Sequence, residues 1–311
     1  MTVTTAFLFP GQGSQYAGMG RSLSEAFPSA RAIFEQADSA LGFPLSKLCF
    51  EGPEEALKQT ENTQPAILTV SAAAFAVLRE QGLEPDYVAG HSLGEYSALV
   101  AAGALRFEDA LRLVRRRGRY MQEAVPAGAS AMAALVQLPE GALEGVLAAA
   151  AQGEVFSVAN WNSPEQIVIA GHTGAVKRAV ELATAAGARR AVLLPVSAAF
   201  HCALMQPARD RLAADLAATP FSDLRWPLVN NFAAEEIRSG AAARQGLIDQ
   251  VSNPVRWTES VRLLARLGVS RFLEVGPGSV LSGLLRAILP NTRAGRFGEA
   301  ADLAKVTSSE R

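Results

Sequence analysis

Cysteine is almost missing from this chain: Cys49 and Cys202 are the two cysteines among 311 residues. Two cysteines are too few for a disulfide-rich scaffold or for a zinc site built from cysteine thiolates. Hydrophobic residues make up 49% of the chain and charged residues 19%, as in ordinary globular proteins. We therefore expect a globular protein whose stability comes from a hydrophobic core.

An excess of charge of either sign is also lacking. The chain has 29 Lys and Arg against 30 Asp and Glu, a net charge of -1. Such a balance provides no overall positive field to attract nucleic acid or anionic lipid. No apolar run has the length of a membrane span, and the first residues do not resemble a signal peptide. We expect a cytoplasmic protein that binds neither nucleic acid nor membrane.

The most informative segment is a G-x-S-x-G pattern formed by Gly90, Ser92 and Gly94. An apolar, strand-like run precedes it at 87–89, and a helix-like run follows at 95–102. A sharp strand-to-helix turn needs glycines because its backbone segments approach closely, and it exposes the serine hydroxyl at a helix N-terminus. The pattern predicts that Ser92 is a nucleophile; a structural turn is the alternative.

A serine nucleophile needs a base, and the chain has three histidines. His91 is adjacent to Ser92, so its side chain should leave the turn in another direction and pack elsewhere. His201 follows a predicted strand, at the kind of position where active sites of α/β sheets occur. This position favours His201 as the base, with His172 as the alternative.

Arg117 differs from the other arginines of its predicted helix, which starts at Phe107. Arg112, Arg115, Arg116 and Arg119 share one face by their spacing, and that face should be solvated. Arg117 instead falls on the apolar stripe, and a buried arginine needs an anionic partner. That partner is either an Asp or Glu of this chain, or a substrate carboxylate bound in a bidentate manner.

The order of predicted elements indicates an α/β protein with an α/β-hydrolase-like core of parallel strands. Between residues 131 and 196 the order changes to β-α-β-β-α-β, which is typical of a ferredoxin-like unit. We predict a catalytic core formed by 1–128 and 198–290, an inserted ferredoxin-like subdomain at 129–197, and a flexible tail at 291–311.

Taken together, the motifs of this chain resemble those of the malonyl-CoA:acyl carrier protein transacylase family. They occur in order along nearly the whole chain: F-P-G-Q-G-S-Q at 9–15, T-Q-P-A at 63–66, G-H-S-L-G-E-Y at 90–96, R-G at 117–118, M-Q-E-A-V-P at 121–126, N-W-N-S-P at 160–164, F-H-C-A-L-M at 200–205, N-P-V-R-W at 253–257 and E-V-G-P-G at 274–278.

The resemblance implies a role for each matching residue. Ser92 is the nucleophile, His201 the base, and Arg117 the residue that binds the malonyl carboxylate. No acidic third member of a triad is implied, because the backbone carbonyl of Gln250 orients His201. The other residues that the resemblance places at the oxyanion hole or near the acyl-CoA pocket are Gln12 and Leu93, through their N–H groups, and Met121, Asn160 and Asn162.

Phe200 departs from many stand-alone members of the fatty-acid pathway, which have a small residue before the histidine. The A-F-H sequence at 199–201 resembles malonyl-selective acyltransferases of polyketide synthases. A bulky ring at this place should leave little room for an α-methyl branch. Phe200 therefore favours malonyl selectivity and leaves open whether the product enters fatty-acid or polyketide synthesis.

The partners that the resemblance implies are malonyl-CoA, as a substrate rather than a cofactor, and an acyl carrier protein; a monomer is expected. Carrier proteins are typically acidic, so basic residues of the subdomain are candidates for docking: Lys177, Arg178, Arg189 and Arg190. Two alternatives stay open: a hydrolase that removes acyl groups from carrier proteins, and a non-catalytic module that binds them. Arg117 argues against the first, and the pair Ser92 and His201 against the second.

Overall fold

Six strands form the larger sheet of the computed structural model, which describes residues 3–196 and 198–308. These strands are β1 (Thr5–Phe9), β2 (Tyr87–Gly90), β7 (Leu228–Val229), β8 (Glu236–Ile237), β9 (Arg271–Val275) and β10 (Ala294–Phe297). Their order in the sheet is β10-β9-β1-β2-β7-β8. Neighbouring strands run parallel except at one edge, where β8 is antiparallel to β7.

Helices cover both faces of this sheet, as expected where parallel strands are buried on two sides. Helix α5 (Thr60–Glu80) is buried over most of its length and packs against α2 (Pro28–Leu41) and α7 (Phe107–Glu123). In the described chain the α-helices are α1 (Arg21–Ala26), α2 (Pro28–Leu41), α3 (Leu45–Glu51), α4 (Glu54–Leu57), α5 (Thr60–Glu80), α6 (Gly94–Ala101), α7 (Phe107–Glu123), α8 (Ala142–Ala151), α9 (Thr173–Ala185), α10 (Gln206–Ala218), α11 (Gly240–Gln250), α12 (Trp257–Arg266), α13 (Val280–Ile288) and α14 (Leu303–Ser308). None of them is both long and apolar enough to cross a bilayer.

A second, antiparallel sheet lies between α7 and α10 in the chain. Its strands are β3 (Ser130–Val136), β4 (Phe156–Ser163), β5 (Gln166–His172) and β6 (Arg190–Leu193), in the order β4-β5-β3-β6. With α8 and α9 they follow the chain order β-α-β-β-α-β and enclose a hydrophobic cluster of their own. The predicted α/β fold with a parallel core and a separate antiparallel subdomain is confirmed. The strands lie within the predicted range 129–197, of which Ser197 is outside the described residues.

The predicted flexible tail at 291–311 is wrong for residues 294–308. Strand β10 pairs with β9 in the larger sheet, and Phe297 is fully buried. The Glu299 carboxylate accepts hydrogen bonds from Tyr16 and Ser22, far earlier in the chain. A strand of four residues is too short to show a periodic pattern in the sequence. Strand β10 is instead stabilised by its pairing with β9. Residues 309–311 lie outside the described residues.

The subdomain is joined to the core along β4. The Trp161 N–H donates to the Val255 carbonyl oxygen at 2.9 Å, and the Thr258 hydroxyl donates to the Trp161 carbonyl oxygen at 3.0 Å. This junction brings β4 to the carboxyl ends of β1 and β2, where open α/β sheets bind ligands. The cleft between core and subdomain therefore contains the candidate site.

Candidate active site

Ser92 lies in a tight turn between β2 and α6 and has a backbone φ of 51°. Residues other than glycine rarely adopt such a positive φ. The flanking glycines are required by close backbone contacts. A Cβ on Gly90 would lie 1.9 Å from the carbonyl oxygen of Gly94, and a Cβ on Gly94 would lie 2.0 Å from that of Phe9. The Ser92 N–H donates to Oδ1 of Asn231 at 2.6 Å, which helps to hold the turn. The G-x-S-x-G pattern thus reflects a strained backbone that exposes the serine hydroxyl.

His201 contacts this hydroxyl, and His172 does not. Nε2 of His201 lies 2.7 Å from Oγ of Ser92, and the ring is 3% exposed. On the other side of the ring, Nδ1 lies 2.8 Å from the carbonyl oxygen of Gln250, the contact that the family resemblance implied. The His172 ring instead accepts the Val155 N–H inside the subdomain. Geometry therefore selects His201 from the two candidates.

The His201 ring is electrically neutral in this environment. Burial, followed by the nearby Arg117 cation, lowers its pKa to about 3, although the Gln250 carbonyl acts in the opposite direction. A carbonyl oxygen can only accept, so the ring proton resides on Nδ1 and the lone pair of Nε2 faces Ser92. This tautomer is the one that can remove the hydroxyl proton.

Arg117 is 2% exposed and lies beside the same hydroxyl. Its Nη1 donates to Oε1 of Gln64 at 2.9 Å, and its Nη2 donates to Oε1 of Gln250 at 2.9 Å and to Oγ of Ser92 at 3.1 Å. Within residues 3–196 and 198–308, no carboxylate oxygen lies within 4.0 Å of the guanidinium. The described structure therefore contains no direct salt bridge between Arg117 and an Asp or Glu, which was the alternative.

These groups open onto one cavity of about 160 Å³. Its polar end holds Ser92, His201 and Arg117; the remaining lining residues are Gln12, Gln64, His91, Leu93, Met121, Met132, Asn160, Asn162, Val168, Leu194, Val196 and Phe200. Every residue expected at the site borders this cavity except Gln250, which lies behind His201 and Arg117. Nowhere in the described chain do three or more His, Cys, Asp or Glu residues form a group suited to a metal ion.

Gln12 and Leu93 border the cavity, and their backbone N–H groups have no acceptor among the described residues. Leu93 is 1% exposed and belongs to the turn before α6, and Gln12 belongs to the loop after β1. Buried N–H groups are almost always paired, so such donors facing a cavity are suited to bind a ligand oxygen.

His91 and Asn162 form a hydrogen bond of 2.8 Å between the core and the subdomain. The His91 ring packs edge-on against Trp257, with ring centroids 5.5 Å apart. The Nε2 atom of His91 is thus bonded to Asn162 and the ring packs on Trp257, in agreement with the packing role expected for His91. Asn160 on β4 is 6% exposed and lines the cavity from the subdomain side.

Several residues of the site were not singled out from the sequence. Gln64 and the side chain of Gln250 support Arg117, while Asn231 and the fully buried Glu95 support the turn at Ser92. Gln64 lies within the T-Q-P-A motif and Glu95 within the G-H-S-L-G-E-Y motif. This position in a motif was the signal from which sequence analysis could have found them. Nothing local distinguishes Asn231.

The basic residues proposed for docking differ in their availability. Arg178 donates to the Ala150 carbonyl oxygen at 2.7 Å and pairs with Glu154 at 2.6 Å, so its guanidinium stabilises the subdomain. Lys177 and Arg190 are exposed, as is Arg189, which donates to Gln137. The structure therefore removes Arg178 from the candidates.

Comparison with known proteins agrees with this geometry. Residues 6–299 match the family described as "Acyl transferase domain". The malonyl CoA-acyl carrier protein transacylase of Escherichia coli (strain K12) is 48% identical over 300 residues, which cover 96% of this chain and 97% of that relative.

Solved structures resemble the chain over nearly its whole length. An acyl carrier protein S-malonyltransferase from Vibrio cholerae superposes with a TM-score of 0.94 at 46% identity, covering 97% of this chain and 99% of that one. A malonyl-transacylase solved in complex with its type II PKS acyl-carrier protein gives 0.96 at 45% identity, covering 98% and 99%. The chain belongs to the acyl transferase family and, within it, to the malonyl CoA-acyl carrier protein transacylases.

Proposed function

We propose that this protein transfers a malonyl group from malonyl-CoA to the phosphopantetheine thiol of an acyl carrier protein, through an ester on Ser92. The observation that carries the proposal is the position of one oxygen. Oγ of Ser92 lies within hydrogen-bond distance of both a neutral imidazole and a buried guanidinium that has no carboxylate partner in the described chain. The first contact suits nucleophilic attack, and the second suits an acyl group that carries its own negative charge.

In the first half-reaction, Nε2 of His201 accepts the proton of Ser92 while Oγ attacks the thioester carbonyl carbon. The negative charge that develops on the carbonyl oxygen is stabilised by the N–H groups of Gln12 and Leu93. Removal of one such donor typically costs about 3–4 kcal/mol of barrier. The carbon–sulfur bond then breaks, the imidazolium returns its proton to the departing sulfur, and CoA leaves malonyl-Ser92 behind.

The second half-reaction reverses these steps with a different thiol. His201 accepts the proton of the phosphopantetheine thiol, and the sulfur attacks the ester carbonyl. The serine oxygen leaves and recovers its proton from the imidazolium. No cofactor takes part in any of these steps, and malonyl-CoA enters only as a substrate. The structural relative bound to its acyl-carrier protein supports the carrier as the second substrate.

Arg117 provides the selection for an acidic acyl group. A malonyl carboxylate can accept two parallel hydrogen bonds from the guanidinium, whereas an acetyl group brings no carboxylate into direct contact with it. Phe200 borders the same cavity and is 8% exposed, so its ring limits the space near the α-carbon. We propose a malonyl extender for fatty-acid or polyketide synthesis in the cytoplasm, where CoA esters and carrier proteins meet.

Intact-protein mass spectrometry tests the proposal. Incubation with malonyl-CoA should add one malonyl group to the protein, and a Ser92→Ala variant should remain unmodified. Addition of a holo carrier protein should move the group onto its thiol. An adduct that persists in Ser92→Ala would contradict the assignment of the nucleophile. Release of free malonate in place of transfer would instead support a hydrolase.

A further inference from the structure

Gln250 connects the two sides of the candidate site. It is the last residue of α11 and is fully buried. Its backbone oxygen accepts from His201 Nδ1 at 2.8 Å, and its side-chain Oε1 accepts from Arg117 Nη2 at 2.9 Å. A single residue therefore orients both the base and the guanidinium.

The orientation of the Gln250 amide depends on what its NH₂ group faces. Nε2 donates to Oε2 of Glu95 at 2.9 Å, to the Ser92 carbonyl oxygen at 3.1 Å and to Oδ1 of Asn231 at 3.3 Å. All three neighbours are acceptors, and Glu95 is the one that can carry a negative charge. An amide turned by half a rotation would direct its oxygen at these acceptors and its NH₂ group at the Arg117 donors. These three acceptors together keep the amide oxygen directed at Arg117.

Glu95 is a fully buried acid that the proposed mechanism does not use. It lies in the first turn of α6, and its Oε2 also accepts the Asn231 N–H at 2.9 Å. Its Oε1 has no hydrogen-bond partner in the described structure. A buried carboxylate is costly without a compensating charge, and the cation that acts on Glu95 is Arg117. The two groups form no direct ion pair because the Gln250 amide lies between them.

We propose that Glu95 tunes the selection of malonyl over acetyl: acting through the Gln250 amide, it supplies the counter-charge of Arg117 and so moderates the attraction of Arg117 for a second carboxylate. A direct Arg–Glu salt bridge would occupy the guanidinium donors that a substrate carboxylate needs. The intervening amide contacts Arg117 through one oxygen only. The Glu95 charge therefore compensates the guanidinium without direct contact, and Arg117 can still bind an anion. This inference rests on the proposed function, since it concerns how that site accepts an acidic acyl group.

The arrangement couples acyl selection to the ionisation of Glu95. A malonyl carboxylate at Arg117 and the Glu95 carboxylate share one cation, so binding of the first favours the uncharged form of the second, and the coupling is reciprocal. Burial raises the pKa of Glu95 to about 7, opposed by the Asn231 N–H, the Gln250 amide and Arg117. Besides Arg117 on α7, the titratable group that interacts with Glu95 is Tyr96 on its own helix; α11 and the loop after β7 contribute the amides of Gln250 and Asn231.

The direction of the effect follows from this coupling. When the pH falls through about 7, Glu95 gains a proton, its negative charge is lost, and Arg117 attracts the malonyl carboxylate more strongly. Acetyl has no carboxylate, so its loading lacks this contribution. The ratio of malonyl to acetyl loading should therefore rise as the pH falls. Since both acyl groups use Ser92 and His201, any effect of His201 protonation on the two loading rates cancels in their ratio.

The experiment is a competition between malonyl-CoA and acetyl-CoA for the wild-type enzyme, with the initial rates of the two Ser92 adducts followed by intact mass between about pH 6 and pH 8. Glu95→Gln removes the charge and keeps an oxygen that can accept from Gln250. The matched control is Glu108→Gln, which removes one charge from a partly exposed position at the start of α7.

We expect the malonyl-to-acetyl ratio of Glu95→Gln to exceed that of the wild type at pH 8 on the order of tenfold and to be independent of pH. Glu108→Gln should keep the wild-type ratio and its pH dependence. A wild-type ratio that does not change with pH would overturn the proposal, even if Glu95→Gln failed to fold. Equal losses of both loading rates in Glu95→Gln would also overturn it. Absence of a malonyl adduct on the wild-type enzyme would instead refute the proposed function.

Discussion

Oγ of Ser92 lies 2.7 Å from Nε2 of His201, although 109 positions separate the two residues in the chain. The serine belongs to a strained turn after β2, and the histidine follows the last strand of the subdomain. Both have a positive φ, which L-residues seldom adopt and which surrounding contacts must therefore maintain. The Gln250 carbonyl supplies one such contact for the histidine. The site is thus assembled by packing between distant segments.

Replacement of Arg117 by alanine should reduce malonyl loading by roughly 30-fold to several thousand-fold and acetyl loading far less, since the loss of a buried partner costs about 2–5 kcal/mol. Initial rates of adduct formation from each CoA ester measure both effects. Arg119→Ala, on the exposed face of the same helix, is the control and should keep the wild-type ratio. Equal losses of the two rates would show that Arg117 acts on the fold rather than on the carboxylate.

A smaller side chain at Phe200 should admit a branched extender. Phe200→Ala enlarges the cavity beside the α-carbon, so loading from methylmalonyl-CoA should increase relative to malonyl-CoA. Truncation of a buried phenylalanine also costs about 3–5 kcal/mol of stability, and Phe200→Leu provides a milder step. Competition between the two CoA esters, followed by intact mass, measures the ratio. An unchanged ratio in both variants, with the proteins folded, would exclude Phe200 as the determinant.

The turn at Ser92 should tolerate no side chain at Gly94. A Cβ there would lie 2.0 Å from the Phe9 carbonyl oxygen, so Gly94→Ala should abolish loading and lower the midpoint of thermal unfolding. Gly283 lies in α13 with open space around its Cα. Gly283→Ala should therefore retain activity and stabilise the protein by about 0.4–1 kcal/mol. Full activity of Gly94→Ala would contradict the close contact.

His201 should remain neutral in acid. Its pKa of about 3 lies below the usual value near 6.5. Between these two values the histidine binds a proton in the unfolded chain but not in the native protein. This histidine therefore lowers the free energy of unfolding as the pH falls from about 6.5 towards 3. Two-dimensional ¹H–¹⁵N NMR of the imidazole nitrogens should show the neutral Nδ1–H tautomer at about pH 5. An imidazolium at that pH would disprove the expectation.

Local patterns were sufficient for a large part of the fold. The order of strands and helices in the subdomain follows from short-range periodicity, and so does the burial of Arg117, whose position on the apolar stripe of α7 can be counted along the helix. The tail was the main failure. Strand β10 has no recognisable pattern, and it is ordered by β9 and by contacts of Glu299 with Tyr16 and Ser22.

The sequence alone was sufficient to predict the strand-turn-helix around Ser92, because close contacts within a few residues require glycine at fixed spacing. It also determined which face of α7 is buried. The choice between His201 and His172 required the folded structure, and so did the buried network formed by Glu95, Gln250 and Arg117. Contacts between residues far apart in the chain depend on how β2, α7 and α11 pack together, and no local periodicity contains that information.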